Sequence, residues 1–148
     1  MSQSVGGSPG QANRQPHSLD YFLWNRNYFS SSQLENLAIS GPWADASGDG
    51  VDNLLCYALG LDPTLQNRGE FFEMTMEDAV VFISFNRLER VSDLQLSVEV
   101  SEDLSDWSRK ASLVSSLSNG DGTERVVFES PIRVAPEVSQ FVRIQVTR

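Results

Sequence analysis

The sequence predicts a mainly β protein, an antiparallel β-sandwich that carries a small helical cap at its N-terminal end. Two observations lead to this fold class. Up to Pro63 the apolar residues recur at helical spacing, whereas beyond it they alternate with polar residues, as in strands that have one buried face. Six such strands follow, and all of them are joined by short turns.

The chain divides into three segments by composition. Residues 1–17 are rich in Ser, Gly, Gln, Asn and Pro and contain almost no large apolar residue, so we expect a disordered tail or linker there. Residues 18–64 form the predicted helical segment, and residues 65–148 form the predicted β-sandwich. The 148 residues suit one core of ordinary size, and we therefore expect residues 18–148 to be one structural unit.

The helical segment is predicted to contain three short helices. Ser18 is the expected N-cap of the first, and residues 32–35 have the spacing of a capping box for the second. Residues 52–59 form the third, which Gly60 ends. The side chains expected to face the interior are Leu19, Phe22, Leu23 and Phe29 in the first helix, Leu34, Leu37 and Ala38 in the second, and Leu54, Leu55, Ala58 and Leu59 in the third.

Alternating patterns place the strands and turns of the second half. A strand over Phe72–Met76 is predicted to turn at Glu77-Asp78 into a strand whose buried face is Val81, Ile83 and Phe85. Residues 119–122, Asn-Gly-Asp-Gly, predict a hairpin between strands near 111–117 and 124–130. The remaining buried faces are Leu94, Leu96, Val98 and Val100, and then Val142, Ile144 and Val146. This order of strands is typical of an immunoglobulin-like or fibronectin-like sandwich.

Two of these strands are candidates for the sheet edges. Phe72–Met76 and Phe141–Thr147 would then offer unpaired backbone groups to an added strand from a partner. The charged side chains of Glu73 and Arg143 would instead blunt the same edges. The sequence leaves both interpretations open.

Residues 45–56 carry the pattern of a calcium-binding loop. Oxygen-bearing side chains fall at the spacing that such loops use, a glycine stands at the sharp turn, and the next residue would offer its backbone carbonyl. Position 12, normally a bidentate Glu, is Cys56, a soft ligand that a hard cation does not favour. We therefore expect either a weak Ca²⁺ site or a plain turn rich in Asp and Asn. The candidate ligands are Asp45, Ser47, Asp49, Val51 and Asn53.

Three segments together resemble a known bacterial module. Residues 43–63 read WADASGDGVDNLLCYALGLDP, residues 96–107 read LSVEVSEDLSDW, and residues 141–147 read FVRIQVT. In this order they resemble a C-terminal module of large secreted proteins from verrucomicrobial and related bacteria. Its first segment is similar to a thrombospondin type 3 or dockerin-like calcium repeat. The resemblance implies an extracellular accessory or anchoring role, followed along the chain by a β domain.

Charge and residue content exclude several classes of function. The net charge of −9 leaves no basic face for nucleic acid, so we expect no nucleic-acid binding. No apolar run reaches the ~20 residues that span a bilayer, so we expect no membrane insertion. The N-terminal residues lack the apolar core of a signal peptide, and we expect a fragment or a mature form of a secreted parent protein.

The same residues argue against catalysis. The single His, His17, lies in the predicted tail, away from any nucleophile, and the single Cys, Cys56, is expected to be a small buried apolar residue. The expected function is a non-catalytic accessory or structural module of a secreted or cell-surface protein. Its partners would be other domains of that protein or components of the cell surface.

The alternative function is a carbohydrate-binding module that uses exposed aromatic side chains. Sugar rings stack on aromatic faces, and the chain has three tryptophans, Trp24, Trp43 and Trp107. We expect Trp24 and Trp43 to pack the helical cap against the sheet. Trp107 belongs to the resembled pattern, which favours a place in the core.

Overall fold

A computed structural model describes residues 20–67 and 71–148. Within them the chain consists mainly of strands in two antiparallel sheets, with a few short helices. The predicted tail, residues 1–17, lies outside the described residues, as do Ser18 and Leu19. The mainly β class predicted from the alternating pattern is therefore confirmed.

Four short helices come first, and each begins where a polar side chain caps it. The Asp20 carboxylate accepts from the backbone N–H of Leu23 at 2.9 Å and starts the first helix. Ser30 and Gln33 form a reciprocal capping box for the second, two residues earlier than predicted. The helices are α1 (Tyr21–Trp24), α2 (Ser31–Leu34), α3 (Leu37–Ser40) and α4 (Asn53–Leu59), and a 3-10 turn over Asn25–Asn27 follows α1.

The predicted buried faces of the first two helices are only partly confirmed: Phe29 is buried and Leu34 is half-buried. Phe22, Leu23 and Leu37 are exposed, with Leu37 64% exposed, and Ala38 is exposed too. Each of these helices makes only about one turn, so it has no full amphipathic stripe. Aromatic packing decides the orientation instead: Tyr21 and Trp24 face inward, their ring centroids 5.5 and 5.3 Å from that of Tyr57 in α4. The prediction for α4 is confirmed for Leu54, Ala58 and Leu59, which are buried.

Seven strands form two sheets. The four-stranded sheet has the order β1-β2-β6-β5, and the three-stranded sheet has the order β4-β3-β7. Pairing is antiparallel throughout. The prediction of six strands missed β4, a two-residue strand that pairs with β3. The strands are β1 (Phe72–Glu77), β2 (Val80–Leu88), β3 (Gln95–Ser101), β4 (Arg109–Lys110), β5 (Ser112–Ser118), β6 (Thr123–Arg133) and β7 (Phe141–Thr147).

The turns that join the strands lie close to their predicted positions. The β1–β2 turn consists of Asp78 and Ala79, one residue later than predicted, because Glu77 still pairs with Val80. Both turn residues have positive φ, 53° and 65°, as a tight two-residue hairpin requires. The hairpin predicted at residues 119–122 joins β5 to β6 and is confirmed.

Two apolar clusters hold the described residues together. The buried side chains of the first cluster come from both sheets and from α4, and the ring centroids of Phe85 and Phe128 lie 5.6 Å apart in it. Its buried members are Leu59, Val81, Ile83, Phe85, Val98, Val126 and Phe128. The second lies under the helices and comprises Tyr21, Trp24, Val51, Leu54, Cys56 and Tyr57. Leu55, Leu61 and Phe71 contact both clusters, so the helical cap and the sheets share a continuous interior.

Both predicted edge strands lie at sheet edges. β1 ends the four-stranded sheet and β7 ends the three-stranded sheet. Arg143 on β7 forms an ion pair with Glu99 on β3, with 2.7 Å between Nη2 and the carboxylate. Glu73 on β1 pairs with Arg125 at the same distance. The charges predicted to blunt the edges thus form ion pairs within their own sheets, Arg143 with the adjacent strand β3 and Glu73 with β6, the strand beyond β2.

Candidate functional site

Asp45 organises the predicted calcium loop by accepting hydrogen bonds from its backbone. Its Oδ1 accepts from the N–H groups of Gly48 at 2.9 Å and Asp49 at 3.2 Å, and its Oδ2 accepts from that of Gly50 at 2.7 Å. The two glycines have φ of 73° and 88°, which residues with a Cβ rarely adopt. These angles curl the chain so that consecutive amides converge on one carboxylate.

Asp49 ties this loop to the chain that follows α4. Its Oδ1 accepts from the Val51 N–H at 2.9 Å, and its Oδ2 accepts from the Asn67 N–H at 2.6 Å. The side-chain amide of Gln66 also donates to the Ser47 carbonyl. Desolvation alone would raise the pKa of Asp49, but the hydrogen bonds from Asn67 and Val51 outweigh it and lower that pKa.

Asn53, the predicted ligand at position 9, forms its hydrogen bonds through the nitrogen of its side-chain amide. It is fully buried as the first residue of α4, and its side-chain amide donates to the carbonyls of Ile39 and Gly41, each at 2.9 Å. Asn53 therefore fastens α4 to the end of α3. Its Oδ1 is buried and has no hydrogen-bond partner in the described part of the chain.

The loop thus brings some of the predicted ligands together and not others. Asp45, Ser47 and Asp49 share one turn, and Val51 follows it as a buried residue whose carbonyl lies 4.0 Å from the Cys56 thiol. Residues 20–67 and 71–148 contain no group of three or more His, Cys, Asp and Glu side chains arranged to hold a metal ion. Carboxylate oxygens keep lone pairs beyond those that the amides use. Any cation bound at this loop would have to use those remaining lone pairs.

Cys56 is held in its thiol form. Its side chain is buried in the second cluster, and burial, followed by the nearby carboxylates of Asp49 and Asp52, raises the pKa of this thiol to about 12. The thiolate is the nucleophilic and metal-binding form, so this cysteine is suited to neither role at neutral pH. The prediction of a small buried apolar residue is confirmed as far as burial is concerned.

The three tryptophans lie in three different environments. Trp24 is 3% exposed and packs in the second cluster, as predicted. Trp107 is half-buried: the Arg143 guanidinium lies 4.3 Å from its ring centroid, and its Nε1–H donates to the Leu104 carbonyl. Trp43 is 69% exposed, so the prediction that it packs the helical cap against the sheet is wrong.

Asp93 joins the helical cap to the C-terminal strand, and sequence reasoning missed it. Its Oδ1 accepts from the Tyr57 hydroxyl at 2.6 Å, and its Oδ2 accepts from the Tyr21 N–H at 2.9 Å. Arg148 lies 3.8 Å from the same Oδ2. Burial, and then the bond to Asp93, raises the pKa of Tyr57. Because these partners lie far apart in sequence, no local pattern marks Asp93.

Comparison with known proteins identifies no relative of this chain. No family model matches it, and neither the curated proteins nor the solved structures contain a match. In the described residues, no helix is long and apolar enough to cross a membrane.

Proposed function

We propose that this chain is a non-catalytic accessory module of a larger secreted or cell-surface protein, in which the Asp45 loop (residues 45–53) fastens the helical cap to the rest of the fold. One observation supports this role most directly. The carboxylates of Asp45 and Asp49 are engaged by backbone N–H groups, and one of those belongs to Asn67, beyond α4. Carboxylates used in this way stabilise a structure and are not directed at a substrate.

We further propose that the two sheets form a β-sandwich of the immunoglobulin or fibronectin type. Apolar side chains of both sheets contribute to one buried cluster, as the inner faces of a sandwich do. Val98 of β3 is buried in it together with Ile83 of β2 and Val126 of β6. A module of this kind supplies spacing or anchoring between other parts of its parent protein, which would be its partners together with components of the cell surface.

The Asp45 loop would bind Ca²⁺ weakly in such a module. The side chains of Asp45, Ser47 and Asp49 and the Val51 carbonyl would hold the ion. Asn53 would join them only through Oδ1, because its amide nitrogen donates to the carbonyls of Ile39 and Gly41. Ca²⁺ would supply positive charge between carboxylates that otherwise repel one another. Extracellular calcium modules have dissociation constants of about 10⁻⁴ to 10⁻³ M, which suits so sparse a donor set.

Thermal unfolding tests the calcium proposal. In EGTA and then across a series up to about 10 mM Ca²⁺, we expect a saturable rise in Tm. Calcium at tenfold its dissociation constant stabilises the folded state by about 1.4 kcal/mol, or roughly 3–6 °C for a domain of this size. Asp49→Ala should abolish the rise, and Asp103→Ala, in a loop without the calcium pattern, should keep it. Equal rises with Mg²⁺, or none with Ca²⁺, would contradict the proposal.

The absence of catalysis is tested separately. We expect no turnover by the purified chain against panels of glycosidase, esterase and peptidase substrates at neutral pH. Two variants serve as controls because each removes a side chain that could take part in a reaction. Cys56→Ser replaces the buried thiol, and Asp93→Asn replaces the carboxylate that accepts from the Tyr57 hydroxyl. Turnover by the wild-type chain that either variant abolishes would overturn the assignment as an accessory module.

A further inference from the structure

Trp43 is the most exposed aromatic side chain in the described part of the molecule. It is 69% exposed, against 45% for Phe22 and 38% for Phe141. Burying an aromatic side chain of this size would contribute about 1.5–3 kcal/mol to folding. Single exposed apolar side chains are common on protein surfaces, so Trp43 indicates a recognition site only together with surroundings that suit a ligand.

The backbone around Trp43 is fixed. The Ala44 N–H donates to the Gly41 carbonyl at 3.1 Å, and the Ala44 carbonyl accepts from the Asn53 N–H at 2.8 Å. The Leu54 N–H donates to the Pro42 carbonyl at 2.9 Å. Both neighbours of Trp43 are thereby tied to the first turn of α4. A ring presented from such a backbone loses little conformational entropy when it binds a ligand.

A cleft of about 240 Å³ opens beside this ring. Its floor includes Ile144 and Val146 of β7, and Gly50 of the Asp45 loop leaves room at one side. Pockets for drug-sized ligands are larger, about 300–1,000 Å³. The cleft therefore suits a single ring, with the rest of a longer ligand lying along the surface.

The polar groups of the cleft favour a ligand that carries hydroxyl groups. Gln145 is exposed, and its amide both donates and accepts hydrogen bonds. Asp52 uses Oδ1 to cap α4 through the Leu55 N–H, and its carboxylate keeps lone pairs for other donors. The described residues that line the cleft include no Lys or Arg. Together with the net charge of −9, this favours a neutral ligand over an anionic one.

We propose that the cleft beside Trp43 binds a neutral carbohydrate, which goes beyond the structural role proposed above. The face of an indole carries negative charge density, and the C–H groups on one face of a sugar ring are attracted to it. Gln145 and Asp52 would bind the hydroxyl groups of the stacked ring. The other two tryptophans do not offer this surface, because Trp24 is buried and Arg143 lies over the ring of Trp107.

Affinity gel electrophoresis with soluble neutral polysaccharides (β-glucan, xylan, mannan and dextran), followed by tryptophan fluorescence titration, tests this site. We expect retardation by at least one polysaccharide and a blue shift of the emission as Trp43 leaves water. Trp43→Ala should weaken binding at least tenfold, which corresponds to about 1.4 kcal/mol. Gln145→Ala should weaken it several-fold. Trp107→Ala is the matched control and should bind as the wild-type chain does.

Each other outcome overturns the proposal. Wild-type protein that none of the polysaccharides retards has no such site, and binding that survives Trp43→Ala lies elsewhere. A preference for an anionic polysaccharide such as alginate would contradict the charge argument. Binding of an extended peptide that Trp43→Ala abolishes would assign the cleft to β-strand addition on β7. The Tm of each variant verifies folding, and an unchanged calcium response in Trp43→Ala separates this test from that of the Asp45 loop.

Discussion

Two loops of this protein, the Asp45 loop and the Asp103 loop (residues 101–108), are built around the same kind of hydrogen bond but have different structural roles. In both, one aspartate accepts hydrogen bonds from successive backbone amides. Asp103 Oδ1 accepts from the N–H groups of Ser105 at 2.8 Å and Asp106 at 2.9 Å, much as Asp45 does from Gly48 and Asp49. The Asp103 loop lacks the calcium pattern, so convergence of amides on an aspartate does not by itself indicate a metal site.

The two loops differ in how far along the chain their hydrogen-bond partners lie. The donors of the hydrogen bonds to the Asp103 carboxylate lie between Ser101 and Asp106, each within three residues of Asp103 along the chain. Asp49, in contrast, bonds to Asn67, 18 residues away, and Asn53 bonds to Ile39, 14 residues away. The hydrogen bonds of the Asp45 loop consequently form a tertiary connection, whereas those to the Asp103 carboxylate only shape a turn between strands.

The largest expected effect comes from Asn53, which fastens α4 to α3. Asn53→Ala removes two buried hydrogen bonds and leaves the Ile39 carbonyl without its side-chain donor. We expect a loss of about 2–3 kcal/mol in the free energy of unfolding, measured by urea denaturation. Ser108→Ala is the control, since it removes a short-range bond to Asp106 in the exposed turn. Equal losses in the two variants would show that the Asp45 loop is no more a tertiary connection than the Asp103 loop.

Asp49 and Asp103 allow a direct comparison of the carboxylates themselves. Asp49→Ala leaves the N–H groups of Val51 and Asn67 without their partner, and we expect a loss of about 1–2 kcal/mol. Asp103→Ala should cost less, because water can replace its bonds at the exposed turn. Amide hydrogen exchange gives an independent measurement. The Asn67 amide should exchange faster in Asp49→Ala and keep its wild-type rate in Asp103→Ala.

The backbone angles of the two loops predict different effects on the free energy of unfolding for a pair of substitutions. Gly50 has φ of 88°, and the space around it is open, so Gly50→Ala should cost about 1 kcal/mol through backbone strain alone. Leu104 has φ of 66° and is exposed, and Leu104→Gly should leave the free energy of unfolding unchanged or increase it. Thermal unfolding of the two variants tests this. A loss of stability in Leu104→Gly as large as that in Gly50→Ala would contradict the argument.

Local patterns in the sequence predicted the parts of the fold that local forces determine. The alternation at Val81, Ile83 and Phe85 and the glycines at 120 and 122 gave a buried strand face and a hairpin, because each needs only neighbouring residues. The exposure of Trp43 and Leu37 could not be predicted in the same way. It depends on contacts between segments that are distant in sequence: the Tyr21 hydroxyl donates to the Ser40 carbonyl, and Asn53 donates to the Ile39 and Gly41 carbonyls.

The same limit applies to the candidate site. Spacing placed Asp45, Ser47 and Asp49 in one turn, because a loop of this kind forms from its own backbone. Spacing also assigned Asn53 to the ion, but it gave no sign that the amide nitrogen of this side chain donates to the backbone at Ile39 and Gly41. A pattern within one segment does not show that an earlier segment will also bind one of its side chains.

The smallest expected effect is a difference in acid stability. Hydrogen bonds lower the pKa of Asp49 against the opposing effect of desolvation, and the Asp106 and Ser105 amides lower the pKa of Asp103. A carboxylate whose pKa is lower in the folded chain than in the unfolded chain stabilises the fold at pH values above its unfolded pKa, which is about 3.9 for Asp. This contribution is lost as the pH falls through the folded pKa. The stabilities of the wild-type chain and Asp49→Asn should therefore differ at pH 7, and the difference should shrink as the pH falls below the unfolded value and through the folded pKa.

Asp103→Asn supplies the control for this measurement. Its Tm should converge with that of the wild-type chain over the same pH range, but from a smaller difference at pH 7, because Asp103 is exposed and its bonds are local. Tm is measured in steps from pH 7 down into the acid range below the unfolded value of about 3.9. A gap between wild-type and Asp49→Asn that stays constant across that range would mean that the charge of Asp49 contributes nothing. The gap would then come from the amide nitrogen that asparagine places beside a backbone N–H, where the carboxylate has an oxygen acceptor.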